Sequence, residues 1–492
     1  MTTVRANLRS KNVLRNLGEI MQNRIVVLMG LLALSVAALA VVVFPSNRPV
    51  TAADEQQPAV TRRTRAAAVI GHRDGTLRFP DFGYMIPPKE YQGRVFRLSQ
   101  DYPREKPPVD AAVKKILEID FQKDWKPYLE AVREYVFEGN VKPTVEESFF
   151  LEDNNIRNWY HVPWQHWGPT GREGFHGLTQ EGPIEKQMLA QTQSSTSHAY
   201  AVGFYNAQGG YTIGRMWPST STPDFTDFAT DNGFPVGTVV AKLLFTTLDS
   251  TQVPYLVNPV SWDAYVYASD VPSIDFPSEG SARIKSKVNL IQMDIMVRDP
   301  RANATGGWVF GNFVYNGEQG STDGWHNLMP VGIMWGNDPD QKESYTNQTP
   351  TQTMRNPKLT QTIINPDPKL PPMHLGWSGR LNGPVDNPAS SCMSCHSTAE
   401  YPTRSPIMPI LNNPKIPIPP NGTEASADWM RWFRNVPCGT SFDPDTITQD
   451  YSLQLTKSAQ NYVEWRDKDQ GGILAVEYCG GAYKVRRNAS GN

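Results

Sequence analysis

Residues 25–44, IVVLMGLLALSVAALAVVVF, are twenty consecutive residues without a charge. Wound as an α-helix at 1.5 Å per residue, such a run reaches roughly 30 Å, the thickness of a bilayer's hydrocarbon core. Arg5, Arg9, Lys11, Arg15 and Arg24 precede it against one acid, Glu19, a bias that holds residues 1–24 in the cytoplasm. The bias is not clean, since Arg48, Arg62, Arg63 and Arg65 follow. A cleaved signal peptide ending at Ala38-Leu39-Ala40 is the rival reading, but the apolar run continues to Phe44 and is long for that role. We therefore expect a single-pass anchor in the lipid of a bacterial-type inner membrane, with the bulk of the chain periplasmic. On either reading the remainder is exported.

The exported part is long enough for more than one domain, and composition narrows its class. The 492 residues include 41 prolines and 37 glycines, which favour a loop-rich build over a helical bundle. A net charge of −2 gives no field suited to nucleic acid, and none is expected as a partner. Residues 45–68 are polar and aperiodic and read as a linker. Residues 69–190 form an accessory region. Within it, apolar positions over 109–137 recur at helical spacing, and Pro127 divides them into two short helices. Segments 200–205, 211–217, 237–247, 287–298 and 307–315 are rich in β-branched and aromatic residues and bounded by turn residues. Strands in series without intervening helices predict an antiparallel β-domain over 191–415. Residues 416–492 form an extension with a short helix over 426–433. The predicted class is α+β, mainly an antiparallel β domain with helical accessory regions and one N-terminal transmembrane helix, and one pentapeptide says what that domain holds.

Cys392-Met393-Ser394-Cys395-His396 has the spacing of covalent haem attachment. Two thiols three positions apart can add to the two vinyl groups of one porphyrin, and the adjacent imidazole becomes the proximal iron ligand. A thioredoxin-like redox pair would need a βαβ setting, and a zinc site a second nearby Cys/His pair; neither is present. The expected cofactor is one covalent haem c, held by Cys392, Cys395 and His396, with His396 on the metal. Cys438 and Cys479 are expected to form a structural disulfide in an oxidising compartment.

With strands and motif in order, residues 195–415 resemble the β-sheet c-type cytochromes, the cytochromes P-460 and c-prime-beta. Phe234-Pro-Val-Gly-Thr-Val-Val-Ala-Lys242 is similar to that family's F-x-x-G-T-V-x-x-K strand. Met293-Asp294-Ile-Met-Val297-Arg298-Asp299, with Gly307-Trp308-Val-Phe310 after it, resembles its V-K-D strand and sequel. Arg298 stands where the family has lysine and keeps the charge. The resemblance implies that Lys242 bonds covalently to the haem ring, and that Asp294 relays protons in place of the family's longer glutamate. It also implies that Arg215, on a preceding strand, joins the site. Hydroxylamine oxidation or nitric-oxide binding is the activity so implied, with a small nitrogen-oxide ligand and a redox partner protein.

The residues also permit plainer roles. Lys242 can snorkel to solvent, Asp294 can be the outward member of an alternating strand, and Arg215 a surface residue. A six-coordinate electron-transfer cytochrome serving a membrane partner is the alternative. Its distal ligand would come from His161, His166 or His176 in the aromatic loop over 161–178, or from Met408 or Met430. We read that loop as packing between regions rather than as a metal site, and a methionine as core filler.

Overall fold

The computed structural model describes residues 70–71, 77–78, 90–165, 172–218, 223–230, 233–267, 283–345, 355–371, 375–407, 416–467, 474–479 and 482–487. Its centre is an eight-stranded, wholly antiparallel sheet. The strands are β1 Thr179–Ile184, β2 Ser197–Tyr205, β3 Val239–Thr246, β4 Ser261–Tyr267, β5 Arg283–Arg298, β6 Trp308–Tyr315, β7 Leu328–Met334 and β8 Thr362–Ile364. Their order is β8-β7-β6-β5-β3-β2-β1. The sixteen-residue β5 continues past this row, and its first half pairs with β4. The α+β class with a mainly antiparallel sheet is the architecture expected.

Every position of β2, β6 and β7 is buried. A sheet covered on both faces cannot follow the simple apolar-in, polar-out alternation, because its polar side chains also lie inside. One face carries Ile295 and Gly311 and meets Leu129 directly. Leu129 belongs to α2 (Trp125–Phe137), which follows α1 (Ala111–Glu118). Two helices were expected here, but Pro127 does not divide them. The chain turns at residues 119–124, and Pro127 sits in the first turn of α2, where its missing N–H has no helical partner to lose.

The segment over 211–217 is not a strand. It lies in α3 (Ala207–Met216), whose N-cap Asn206 accepts from Gly209 N and Val239 N. Gly209 and Gly210 let this helix approach Tyr205 and Tyr160 more closely than any Cβ would allow. The opposite face of the sheet receives α4 (Cys392–His396) and the start of α5 (Leu453–Asp467), whose Gln454 covers Gly203. The expected helix over 426–433 is Ala427–Met430 with a 3-10 turn after it.

Residues 66–492 form one unit, so the accessory region, the β-domain and the extension share one body. Among the described residues no helix is long and apolar enough to cross a membrane. Residues 25–44, the expected anchor, and the linker over 45–68 lie outside the described residues.

Candidate functional site

Antiparallel register lines up one residue from each of five strands. Gly203 faces Lys242, Lys242 faces Asp294, Asp294 faces Asn312, and Asn312 faces Gly332. Directly paired residues project to the same side, so Lys242, Asp294 and Asn312 form a polar row flanked by two glycines. Gln292, two residues before Asp294, joins them on that side.

The row is tightly bonded. Gln292 Nε2 donates to Asp294 Oδ1 at 2.9 Å and Oδ2 at 3.0 Å, and to Asp386 Oδ2 at 2.9 Å. Val385 N donates to Gln292 Oε1 at 3.2 Å, which fixes which end of the amide is the donor. Asn312 Nδ2 donates to Asp294 Oδ1. Lys242 Nζ lies 3.3 Å from Glu181 Oε2. The loop bearing Asp386 is pressed so close that a Cβ on Gly383 would strike both Gln292 and Asp386.

Burial sets the electrostatics. It pushes Asp294 up to about 7, reinforced by Asp386 and opposed by Lys242 and the two amides. Asp386 is also raised, by burial first. Burial works against the Lys242 ammonium, but Glu181, Asp294 and Asp386 outweigh it, and its pKa lies above the ordinary lysine value. Lys242 nevertheless keeps 31% of its side-chain surface and Glu181 33%. These side chains are half-buried, enclosed by the surrounding protein yet with part of their surface accessible.

The motif helix α4 borders the same space. Cys392, Cys395 and His396, at i, i+3 and i+4, share one face of its single turn, and all three are partly accessible while Met393 and Ser394 are buried. A capping box starts the turn: Ser394 N donates to Ser391 Oγ at 3.1 Å, and Ser391 N to Ser394 Oγ at 2.8 Å. His396 Nδ1 lies 2.8 Å from the Tyr451 carbonyl, and the ring stands edge-on to Phe310 at 5.1 Å. A carbonyl only accepts, so Nδ1 carries the proton and Nε2 presents a lone pair. Burial pushes the imidazole down to about 4 and keeps it neutral. It also raises both thiols, Cys392 well above its usual value and Cys395 to about 12, with Asp294 and Asp386 adding to the first and Asp386 to the second.

These residues suit a haem on one structural ground: two accessible thiols and an oriented neutral imidazole on one helix face, opposite a walled polar row. Among the described residues no three His, Cys, Asp or Glu side chains converge as metal ligands. A haem needs no such set, because the porphyrin supplies four nitrogens.

Lys242 and Asp294 are thus brought together beside the motif, inside the protein. Arg215 is not. It lies on helix α3, ion-pairs with Asp227 and is half exposed, and β2, the strand before Lys242, contains no arginine. His161 is buried, and its Nδ1 accepts from Ser99 N at 3.0 Å. His176 stacks on Trp262 at 4.2 Å, and burial pushes it down to about 3. Both serve packing. Met430 packs against the core. His166, Met408 and the Cys479 side chain lie outside the described residues, while Cys438 Sγ accepts from Arg298 Nη2.

Sequence reasoning missed Asp386, Gln292, Glu181 and Asn312. Alternation along β5 would have put Gln292 beside Asp294; nothing local marks the others. No family model, curated protein or solved structure matches the chain.

Proposed function

We propose that the chain is a monohaem c-type cytochrome, anchored in a bacterial inner membrane by residues 25–44, with redox chemistry at a haem held by α4 beside the polar row. The observation that carries this reading is the shared face of Cys392, Cys395 and His396, with Nδ1 tied to the Tyr451 carbonyl. When bound, the haem would supply an iron that changes oxidation state and can take a small ligand. His396 Nε2 would hold the iron, and the Tyr451 carbonyl fixes the ring's tautomer and orientation. Cys392 and Cys395 would each hold the haem through a thioether, the S–H adding across one vinyl C=C so that a C–S and a C–H bond form. Asp294 is the group that accepts a proton from a substrate of the hydroxylamine type, at a carboxylate whose raised pKa suits exchange near neutrality. Lys242, on the next strand, is the residue for a bond to the ring. The polar row, which sets a proton acceptor beside the motif, favours this reading over a plain electron carrier.

The test is to produce the full chain with a covalent haem maturation system and record intact mass and reduced spectra with and without nitric oxide. One added haem, lost from the Cys392→Ala/Cys395→Ala variant, is the expected result. A nitric-oxide-sensitive spectrum, and hydroxylamine oxidation lowered at least tenfold by Asp294→Ala and by Lys242→Ala, support the enzyme. A sharp spectrum indifferent to nitric oxide makes the protein an electron carrier. No covalent haem at all sinks the reading.

A further inference from the structure

The polar row holds more acid than base. Asp294, Asp386 and Glu181 bring three carboxylates to a half-buried cluster in which Lys242 is the ammonium, already 3.3 Å from Glu181. The Gln292 amide joins Asp294 and Asp386 by donating to both, but it is neutral and cancels no charge. Two like charges in a low-dielectric interior resist joint ionisation, and a proton on one of them removes the conflict.

The neighbouring Asn312 amide accommodates that proton. Asn312 is fully buried and touches Asp294 through Nδ2, yet its Oδ1 has no hydrogen-bond partner. An ionised Asp294 has no hydrogen to offer it. A protonated Asp294 does: with the amide turned end for end, Oδ1 accepts the carboxyl O–H, and Nδ2 takes the unpartnered place instead, so Asn312 can meet either state of the acid.

We infer that Asp294 and Asp386 work as one unit holding a single shared proton beside the haem motif, with Asp386 and Gln292 as positioning residues that set how tightly Asp294 keeps it. The groups facing the pair are Lys242 on β3, Glu181 on β1, Asn312 on β6, and Cys392 and Cys395 on α4. His396 faces Lys242 and Glu181 in turn. Ionisation of the pair raises the negative charge beside the motif; protonation lowers it. Oxidation of an adjoining redox centre adds positive charge and favours release of the proton, and reduction favours its return. A bond between Lys242 and a haem ring would remove the ammonium and make the pair hold its proton more tightly. The proton itself does not depend on the haem; its coupling to electron transfer rests on the function proposed above.

The test is infrared titration of the carboxylic C=O stretch on the full chain in detergent, as wild type, Asp386→Asn and Asp294→Asn. Wild type is expected to keep one protonated carboxyl at neutral pH. Removing either acid should let the other ionise about one pH unit lower or more, a tenfold loss of proton affinity. If Asp386→Asn does not fold by circular dichroism, Asp294→Asn carries the comparison. A wild-type chain with no protonated carboxyl near neutrality overturns the inference, as do variants in which the remaining acid titrates unchanged. The same titration on Cys392→Ala/Cys395→Ala keeps its outcome separate from the haem. In the haem-loaded chain, the midpoint potential should fall with rising pH through the neutral range and lose that dependence in Asp386→Asn. A pH-independent wild-type potential overturns the coupling.

Discussion

On the side of the sheet bearing Ile295 and Gly311, contact with α2 is direct: a Cβ on Gly311 would sit 2.2 Å from Leu129 Cδ2. Aromatic rings continue the seal, with Trp159 edge-on to Phe204 at 5.2 Å and Phe149 against Trp325 at 4.6 Å. On the other side, the same strands present Lys242, Asp294, Asn312 and Gln292. Period-two geometry makes the two sides alternate residues of one chain: Met293 and Ile295 face the helices, and Asp294 between them faces the motif. The difference teaches what each side is sensitive to. The helix side is a packing problem and fails with volume. The motif side is a charge and hydrogen-bond problem and fails with protonation.

The largest separation of the two comes from Leu129→Ala. Leu129 is fully buried, and its loss should cost about 2–5 kcal/mol in chemical denaturation. The infrared titration of the opposite face should not change. Gly311→Ala adds volume at the same contact and should cost about 1–3 kcal/mol. The double variant should be less unstable than the sum, because the new methyl occupies part of the space Leu129 leaves. Strict additivity would mean that the helix and sheet do not meet as described.

Next in size is an opposite response to pH. His176, against Trp262, falls from 6.5 to about 3 on folding. The folded state then binds fewer protons than the unfolded chain between those values, so this stability is complete above about pH 6.5 and lost as pH falls. Asp294 rises from 3.8 to about 7. Here the folded state binds more protons, and the contribution is present below about pH 4 and lost as pH climbs to 7. Each swing is on the order of a few kcal/mol. His176→Gln should flatten the acid limb of the stability profile, and Asp294→Asn the decline between pH 4 and 7. If Asp294→Asn altered only the acid limb below pH 4, Asp294 would be an ordinary ionised carboxylate.

How much of this was legible depended on whether the signal was local. β2, β3, β5 and β6 carry β-branched and aromatic runs bounded by turns, and all four were anticipated. Residues 211–217 have similar content, but the Asn206 cap and the close packing at Gly209 and Gly210 won over propensity. β7 was obscured by Pro330 and Gly332 at a bulge, β1 by Gly182 and Pro183 at another, and β8 by its length of three residues. β4 does alternate, and was missed without such an excuse. Cys392, Cys395 and His396 stand within five residues and announce themselves. Lys242 and Asp294 were singled out by resemblance alone, and their pairing is a matter of register, which no local pattern states. Asp386 lies in an irregular loop 92 positions beyond Asp294, and only the folded chain brings Gln292 between them.

The smallest effect expected sits in the turn that holds the motif. Ser391 caps α4 by accepting from Ser394 N, and its hydroxyl donates to Asn337 Oδ1 at 3.0 Å. Ser391→Ala removes both bonds, yet Ser394 Oγ still accepts from the backbone N–H of residue 391, so half of the capping box survives. The loss should be about 1 kcal/mol in denaturation, well below that of Leu129→Ala, with the infrared titration of Asp294 and Asp386 unmoved. A titration that did move would mean that α4 helps to set the charge of the polar row, and the motif and the acids would have to be treated as one electrostatic unit.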